Sequence, residues 1–386
     1  MDVSVFIIDD SVLIRNLVAN IVNRTPKLVV AGMAENGSEA LKKIPLCSPD
    51  VIVCDVEMPV MSGIEFLKAK KAAKIDIPVI MLSSVVGKGT MQTMQCLTWG
   101  AADFITKPSG SASSNLATVA ADLAELLVGY GTKYAETKIG TKAEKQDDKR
   151  LRLQQANAKI KEALQDLRTN SSTPPVFTMP ERKGVTPLGQ FCKERIQVVS
   201  IGISTGGPQS LRTMLSELDP RIRQPILIVQ HMPTIFTKEF ANSLNEVCKI
   251  PVHEAIDGEP LRGRTIYVAP GGKHMVLKRT PSDVVVRLNE DAPCNGHRPS
   301  VDVLFNSVAE IYGKNSLAVI MTGMGNDGAK GIARLCQMRA MTIGQDSNSS
   351  VVYGMPKVAY ELGGVQMQVP LNKIAEQIND YAIKYS

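Results

Sequence analysis

The stretch VVSIGISTGGPQSLRTML, residues 198–215, joins an apolar run to a helical pattern through a Gly-rich turn around Ser204. A strand-to-helix turn of this kind either cradles a phosphate or presents a serine hydroxyl as a nucleophile. The turn lacks both the Lys-Ser/Thr of a phosphate loop and the GxGxxG of a dinucleotide site. The spacing Gly202-x-Ser204-x-Gly206 fits a nucleophile elbow, but such short matches are common by chance, so the turn alone leaves both roles open.

Residues 194–386 continue the alternation of strands and helices that this turn begins. The runs QPILIVQ and SLAVIMT are predicted strands, and TKEFANSLNEV and GAKGIARLCQM are predicted helices. RTIYVAPGGKHMVLKR and DVVVRLNE are predicted to be antiparallel strands, the first of them broken by a Gly-Gly turn. The pattern therefore predicts a doubly wound α/β domain with a parallel sheet and a small antiparallel excursion.

Two further polar residues follow apolar strands in this half of the chain. His231 comes directly after ILIVQ, and Asp327 follows the strand AVIMT just before a helix. A lone histidine is usually structural, and an aspartate before a helix is commonly its N-cap. Because parallel strands end at one edge of a sheet, Ser204, His231 and Asp327 are expected to meet there as nucleophile, base and orienting carboxylate. Their order along the chain differs from that of the α/β-hydrolases.

Residues 1–130 show a second βα alternation, which predicts another doubly wound parallel sheet. Four apolar runs end in polar residues: Asp9-Asp10, Asp55, Ser83-Ser84 and Lys107-Pro108. Three carboxylates at one sheet edge would repel one another without a cation, and Mg²⁺ suits such a set. Lys107 is a candidate counter-charge, Ser83 offers a hydroxyl, and a carboxylate can itself accept a phosphoryl group.

Composition limits the remaining function classes. The 386 residues carry a formal net charge of +6 with no basic face evident, so nucleic-acid binding is not expected. No apolar run reaches the roughly 18 residues of a membrane helix, so membrane insertion is not expected either. Seven scattered cysteines without a CxxC pair favour reduced thiols in a cytoplasmic protein. The charged, Pro/Ser-rich segment 131–193 is predicted to be a linker.

The ordered acidic, hydroxyl and Lys-Pro strand ends of residues 1–130 resemble the receiver domain of two-component response regulators, a flavodoxin-like fold. The resemblance implies that Asp55 is the phosphoacceptor, and that Asp10, Asp55 and the backbone of Glu57 bind Mg²⁺ with the help of Asp9. It further implies that Lys107 and Ser83 contact the phosphoryl group. Phe104 stands where the family carries its switching aromatic residue, which is often Tyr.

The second half resembles the chemotaxis protein-glutamate methylesterases, the CheB family, through GISTGGP, QHMP, APGGKHM, HRPSVDVLF, TGMGNDGA and YGMPKVA. The resemblance implies a triad of Ser204, His231 and Asp327 with the backbone of Met324 as oxyanion donor. It implies hydrolysis of glutamyl methyl esters on chemoreceptors, deamidation of receptor glutamines, and a chemotaxis histidine kinase as phosphoryl donor. Thr205 and Arg298 are candidate substrate-wall residues. The resemblance implies no cofactor in the catalytic half, and it gives no role to Cys294.

Three hypotheses remain at the level of sequence. In the first, an unphosphorylated receiver covers the Ser204 edge and phosphorylation at Asp55 weakens that contact. In the second, residues 194–386 form a non-catalytic module that binds a phosphoryl ligand or nucleotide at the GISTGGP turn and has no need of His231 or Asp327. A DNA-binding response regulator is the third, and it is weak because no helix-turn-helix is evident.

Overall fold

The computed structural model describes residues 2–83, 89–107, 117, 119–138 and 195–386 of the chain. These residues form two parallel sheets, each flanked by helices, and one small antiparallel ribbon. The two doubly wound domains predicted from the sequence are therefore confirmed. Most of the predicted linker, residues 139–193, lies outside the described residues.

The N-terminal sheet has the strand order β2-β1-β3-β4-β5, with every neighbouring pair parallel. Its strands are β1 (Val3–Ile8), β2 (Leu28–Ala34), β3 (Val51–Asp55), β4 (Val79–Ser83) and β5 (Asp103–Thr106). Its helices are α1 (Val12–Arg24), α2 (Gly37–Cys47), α3 (Gly63–Ala72), α4 (Gly89–Thr98) and α5 (residues 119–138). The side chains of Ser11, Asn36 and Ser62 cap the first three helices, as short polar residues at such positions commonly do.

Two features of this domain differ from the sequence pattern. β2 was not among the four predicted strands; it lies at the sheet edge, and most of its side chains are partly exposed. α5 continues to residue 138, eight residues past the predicted domain end at 130. The extension packs on the N-terminal domain, where Lys138 Nζ donates to the Ser48 carbonyl at 3.1 Å.

The C-terminal sheet has seven parallel strands in the order β14-β13-β12-β6-β7-β9-β8. Its strands are β6 (Val198–Ile203), β7 (Ile226–Gln230), β8 (Val252–Glu254), β9 (Ile266–Val268), β12 (Ser316–Ile320), β13 (Met341–Gln345) and β14 (Met367–Val369). Its helices are α6 (Gly207–Ser216), α7 (Thr234–Asn245), α8 (Val301–Ile311), α9 (Ala329–Gln337), α10 (Met355–Glu361) and α11 (Leu371–Lys384). From β6 the chain first builds β7, β8 and β9 on one side of the sheet and later builds β12, β13 and β14 on the other side. The switch point therefore lies between β6 and β12, where ligands of such sheets bind.

The predicted antiparallel excursion is correct only in part. β10 (His274–Arg279) and β11 (Val284–Asn289) do form an antiparallel ribbon. The run Ile266–Val268, predicted to be antiparallel, is instead β9 and pairs in parallel with β7 and β8. The Gly-Gly turn separates β9 from β10. The apolar run before the turn therefore joins the parallel sheet, and the run after it joins the antiparallel ribbon.

The N-terminal domain packs against the C-terminal domain through β5 and α5. The rings of Phe104 from β5 and Phe236 from α7 lie 4.6 Å apart between centroids and are tilted by 56°. Lys133 Nζ of α5 donates to the carbonyl oxygens of Ser350, at 2.8 Å, and Asn348. This arrangement places the N-terminal domain over the edge of the sheet at which β6 and β7 end.

Candidate active site and phosphoacceptor pocket

Ser204 follows β6 directly and lies in a sharp turn before α6. Gly206 adopts φ +80°, and a Cβ there would lie 2.7 Å from the Val351 side chain, so only glycine fits both constraints. A Cβ on Gly202 would lie 2.1 Å from Val301 Cγ1. The two glycines of the GxSxG spacing thus allow the tight turn and the close approach of α8.

His231 follows β7 and reaches both of its predicted partners. Its Nδ1 lies 3.1 Å from Ser204 Oγ, and its Nε2 lies 2.9 Å from Asp327 Oδ2. Because the carboxylate accepts the Nε2 proton, Nδ1 is left as the acceptor for the serine hydroxyl. The imidazole is therefore in the tautomer that a general base for Ser204 needs.

Asp327 is buried at the N-terminus of α8, where its carboxylate binds the imidazole of His231. Besides His231, its carboxylate accepts hydrogen bonds from four donors: Asn295 Nδ2 at 2.8 Å, Ser300 Oγ at 2.7 Å, Val301 N at 2.7 Å and Asp302 N at 3.3 Å. Burial alone would raise the pKa of Asp327, but the hydrogen bonds from His231, Ser300 and Asn295 hold it well below its usual range. The carboxylate thus caps α8, not the helix that follows it in sequence.

His297 is part of the site, although the sequence placed it only in a loop. Its ring stacks on that of His231 with centroids 3.8 Å apart and planes 10° apart. Burial and the neighbouring His231 lower the pKa of His297 to about 4, so the stacked ring is neutral at ordinary pH. The HRPS motif marked this loop, but nothing in its spacing indicated the stacking.

The predicted oxyanion donor lies beside the nucleophile. Met324 lines the same cleft as Ser204 and His231. In the part of the chain that the structure describes, the Met324 N–H has no hydrogen-bond acceptor. A free backbone donor at this position is what stabilisation of a tetrahedral oxyanion requires.

The cleft above Ser204 is shared with the receiver. It encloses about 580 Å³, and its walls include Phe104, Asp122 and Glu125 from the receiver as well as Ser204 and His231. Thr205 Oγ1 donates to Glu125 Oε1 at 2.9 Å, and the Gly206 N–H donates to Asp103 Oδ2 at 3.0 Å.

The acidic residues of the receiver meet as predicted. Lys107 Nζ lies 2.8 Å from Asp9 Oδ2 and 2.7 Å from Asp55 Oδ2. Carboxylate oxygens of Asp9, Asp10 and Asp55 lie within 4.8 Å of one another, a hard-oxygen set that fits a Mg²⁺ ion. Burial raises the pKa of Asp55 to about 6 despite the opposing effect of Lys107.

Other predicted residues lie around these two centres. Ser83 Oγ lies 2.6 Å from Thr93 Oγ1, at the end of β4 beside the pocket. Arg298 lines the cleft, but its guanidinium donates to the Glu290 and Asp291 carbonyls. Cys294 is a partly buried free thiol.

The two remaining histidines bind other groups, and His274 is linked to the triad only through Ser300, whose hydroxyl donates to Asp327. His253 Nε2 pairs with Glu259 at 3.0 Å, and His274 Nδ1 accepts from the Ser300 N–H at 3.2 Å.

Among the described residues, no helix has the length and apolar character needed to cross a bilayer.

Comparison with known proteins shows the family to which this chain belongs. The CheB methylesterase family matches residues 199–378, and the response regulator receiver domain matches residues 5–118. A protein-glutamate methylesterase/protein-glutamine glutaminase of Treponema denticola is 46% identical over 392 residues, covering 100% of both chains. The chain belongs to the protein-glutamate methylesterase/protein-glutamine glutaminase family.

Two further relatives are similar to this chain. The enzyme of the same name from Treponema pallidum is 42% identical and covers 98% of this chain and 97% of its own. The crystal structure of the Thermotoga maritima CheB methylesterase catalytic domain is 39% identical, with a TM-score of 0.47, and covers 48% of this chain and 98% of its own. The chain is thus an enzyme of the carboxylic ester hydrolase class fused to a response-regulator receiver.

Proposed function

We propose that this enzyme demethylates glutamyl methyl esters on chemoreceptors, releases methanol, and deamidates specific receptor glutamines by a Ser-His-Asp mechanism. The continuous contact from Ser204 Oγ through His231 to Asp327, at 3.1 and 2.9 Å, is the observation that carries the proposal. The second hypothesis, a binding module without catalysis, has no use for this chain of contacts.

The first half of the reaction forms an acyl-enzyme. Ser204 Oγ attacks the ester carbonyl carbon while His231 Nδ1 takes the serine proton. The oxyanion is stabilised by the backbone N–H of Met324, a kind of donor whose removal typically costs ~10²–10³ in rate. Collapse of the tetrahedral intermediate breaks the C–O bond, and His231 returns its proton to the leaving methoxide to give methanol.

The second half regenerates the enzyme. His231 takes a proton from water, the resulting hydroxide attacks the acyl carbon, and Ser204 leaves with that proton to free a glutamate side chain. With a glutamine substrate the first leaving group is ammonia instead. In each step Asp327 stabilises the imidazolium through its hydrogen bond with His231 Nε2. The four other donors to its carboxylate keep Asp327 ionised.

We further propose that a chemotaxis histidine kinase phosphorylates the receiver at Asp55 in the cytoplasm. Asp10, Asp55 and the backbone of Glu57 would hold Mg²⁺, with Asp9 assisting, and the ion would neutralise charge on the transferring phosphoryl group. Lys107 and Ser83 would contact that group. Phe104, whose ring packs on Phe236, is the residue through which the receiver would change its contact with the catalytic domain.

The packing of the receiver over the cleft supports the hypothesis that the unphosphorylated receiver covers Ser204. Phosphorylation adds charge beside Lys107, just after β5, and would loosen the contacts that β5 and α5 make with the catalytic domain. The closed arrangement is then the low-activity state, and the receptor helices gain access when the receiver moves away.

The direct test is methanol release from methylated chemoreceptor by the full chain, with and without a small-molecule phosphodonor. Wild type should release methanol faster with the phosphodonor, and Ser204→Ala should release it at a rate lower by at least about 10³-fold. Asp55→Asn is the matched control, since it keeps the triad but should lose the response to the phosphodonor. Methanol release by Ser204→Ala at the wild-type rate would rule out the nucleophile.

A further inference from the structure

The turn that carries the nucleophile also presents two outward-facing donors, and the receiver occupies both of them. Thr205 Oγ1 donates to Glu125 Oε1, and the Gly206 N–H donates to Asp103 Oδ2. Resting on the proposed function, we propose that α5 is an internal substitute for the receptor helix. In this view Glu125 occupies the Thr205 hydroxyl that otherwise binds the glutamyl side chain of the substrate.

Glu125 has the same side-chain chemistry as the proposed substrate. The proposed substrate is a glutamyl side chain carried on a helix, and α5 presents a glutamate from a helix to the residue next to the nucleophile. The hydroxyl of Thr205 can donate equally to a carboxyl oxygen, an ester carbonyl or an amide carbonyl. One donor therefore suits the substrate, the product and the side chain of the receiver.

Glu125 also lies where a substrate side chain would enter. Glu125 lines the same cleft as Ser204, His231 and Met324, so its carboxyl group shares the space into which a substrate side chain must enter. A substrate that reaches Ser204 has to displace α5 and thereby frees the Thr205 hydroxyl. Competition for one hydrogen-bond donor then accompanies the steric cover.

The charge of Glu125 also resembles that of the proposed substrates. Burial, with smaller contributions from the carboxylates of Asp122 and Asp103, raises the pKa of Glu125 to about 7, against the lowering effect of the Thr205 hydrogen bond. The partly buried side chain is therefore neutral for a large part of the time at neutral pH. A neutral glutamic acid has the same lack of charge as a glutamyl ester or a glutamine, the two proposed substrates.

Other contacts between the domains lie away from these donors and supply a control. Lys133 Nζ binds the carbonyl oxygens of Ser350 and Asn348, which take no part in the cleft around Ser204. Lys133→Met should loosen the receiver without touching the substrate-binding side of the turn. Any effect of Thr205 or Glu125 on substrate binding can thus be separated from an effect of domain opening alone.

The experiment measures methanol release from methylated receptor by the full chain, as KM and kcat, with and without a small-molecule phosphodonor. Glu125→Ala should raise the activity of the unphosphorylated chain about 3- to 10-fold, the loss of one hydrogen bond, while Glu125→Gln keeps an acceptor and stays near wild type. Thr205→Val should raise KM of the phosphorylated chain by a similar factor, and Thr205→Ser should restore it. Lys133→Met should raise unphosphorylated activity with KM of the phosphorylated chain unchanged.

Two results would overturn the proposal. If Thr205→Val leaves KM of the phosphorylated chain unchanged, Thr205 is only a contact between domains. If Glu125→Ala leaves unphosphorylated activity unchanged, Glu125 does not compete with substrate. Hydrogen exchange of the peptide containing Gly206 is a readout independent of activity, and it should quicken in Glu125→Ala. If exchange quickens in Glu125→Ala but neither wild type nor any variant releases methanol, the proposed function is wrong while the contact between the domains is supported.

Discussion

Replacing Asp327 by asparagine probes the feature on which the mechanism depends, the tautomer of His231. One carboxylate oxygen of Asp327 accepts three donors, and the other accepts His231 Nε2 and the Val301 N–H. In the Asp327→Asn variant the amide oxygen keeps the first set, because turning the amide around would place NH₂ against three donors. The NH₂ group then donates to Nε2, and the imidazole proton moves to Nδ1, which faces Ser204.

The expected loss follows from these contacts. An imidazole protonated at Nδ1 has no lone pair for the serine proton, and the same change of tautomer in a serine protease lowers kcat about 10⁴-fold. That factor corresponds to about 5 kcal/mol of transition-state stabilisation. The Val301 N–H also loses its acceptor, which costs about 1–3 kcal/mol of folding free energy.

The assay is methanol release per folded molecule in the presence of a phosphodonor, with stability measured separately by denaturant unfolding. Asp302→Asn is the matched control: it is a buried aspartate at the same helix terminus that accepts from Gly331 N and Asn295 and does not contact His231. It should lose stability while keeping activity within several-fold of wild type. If Asp327→Asn retains more than a tenth of wild-type activity, the assignment of its carboxylate to the tautomer is wrong.

Three further outcomes are expected from the same structure. Gly206→Ala should destabilise the chain by about 2–4 kcal/mol, because the residue has a positive φ and its new Cβ would press on Val351; denaturant unfolding measures this. The pKa of His297 is held at about 4, below the ordinary 6.5, so the unfolded chain takes up a proton there first and stability falls as pH drops from 6.5 to 4. Thermal unfolding of His297→Phe should show a smaller fall over that range, and an equal fall would contradict the assignment. Phe236→Ala should raise the methanol release of the unphosphorylated chain, since it removes the ring that packs on Phe104.

The sequence was sufficient to predict which residues meet at the sheet edge. Ser204, His231 and Asp327 each follow a buried parallel strand, and a common edge of the sheet brings such positions together whatever their separation in sequence. The same argument predicted Asp9, Asp55 and Lys107 in the receiver. These predictions depend on strand ends, which apolar runs and turn residues mark clearly.

Positions set by loop paths could not be predicted in the same way. His297 and Asn295 reach the triad from the loop between β11 and α8, and no periodicity indicates where such a loop returns to the sheet. β9 was assigned to the wrong sheet because its apolar pattern is the same in parallel and antiparallel pairing. The role of Asp327 as a cap of α8 depends on a helix whose first residue, Val301, lies 26 residues earlier in the chain.

A continuous route between the phosphoacceptor pocket and the Ser204 turn runs along β5. Asp103 binds the nucleophile turn, Phe104 packs on the catalytic domain, and Lys107, one residue past the strand, pairs with Asp55. A phosphoryl group on Asp55 would give Lys107 new acceptor oxygens only three residues from Phe104. Because one four-residue strand carries the contacts with both domains, a shift of β5 at the phosphoacceptor would be felt directly at the turn that holds Ser204, without any intermediate element.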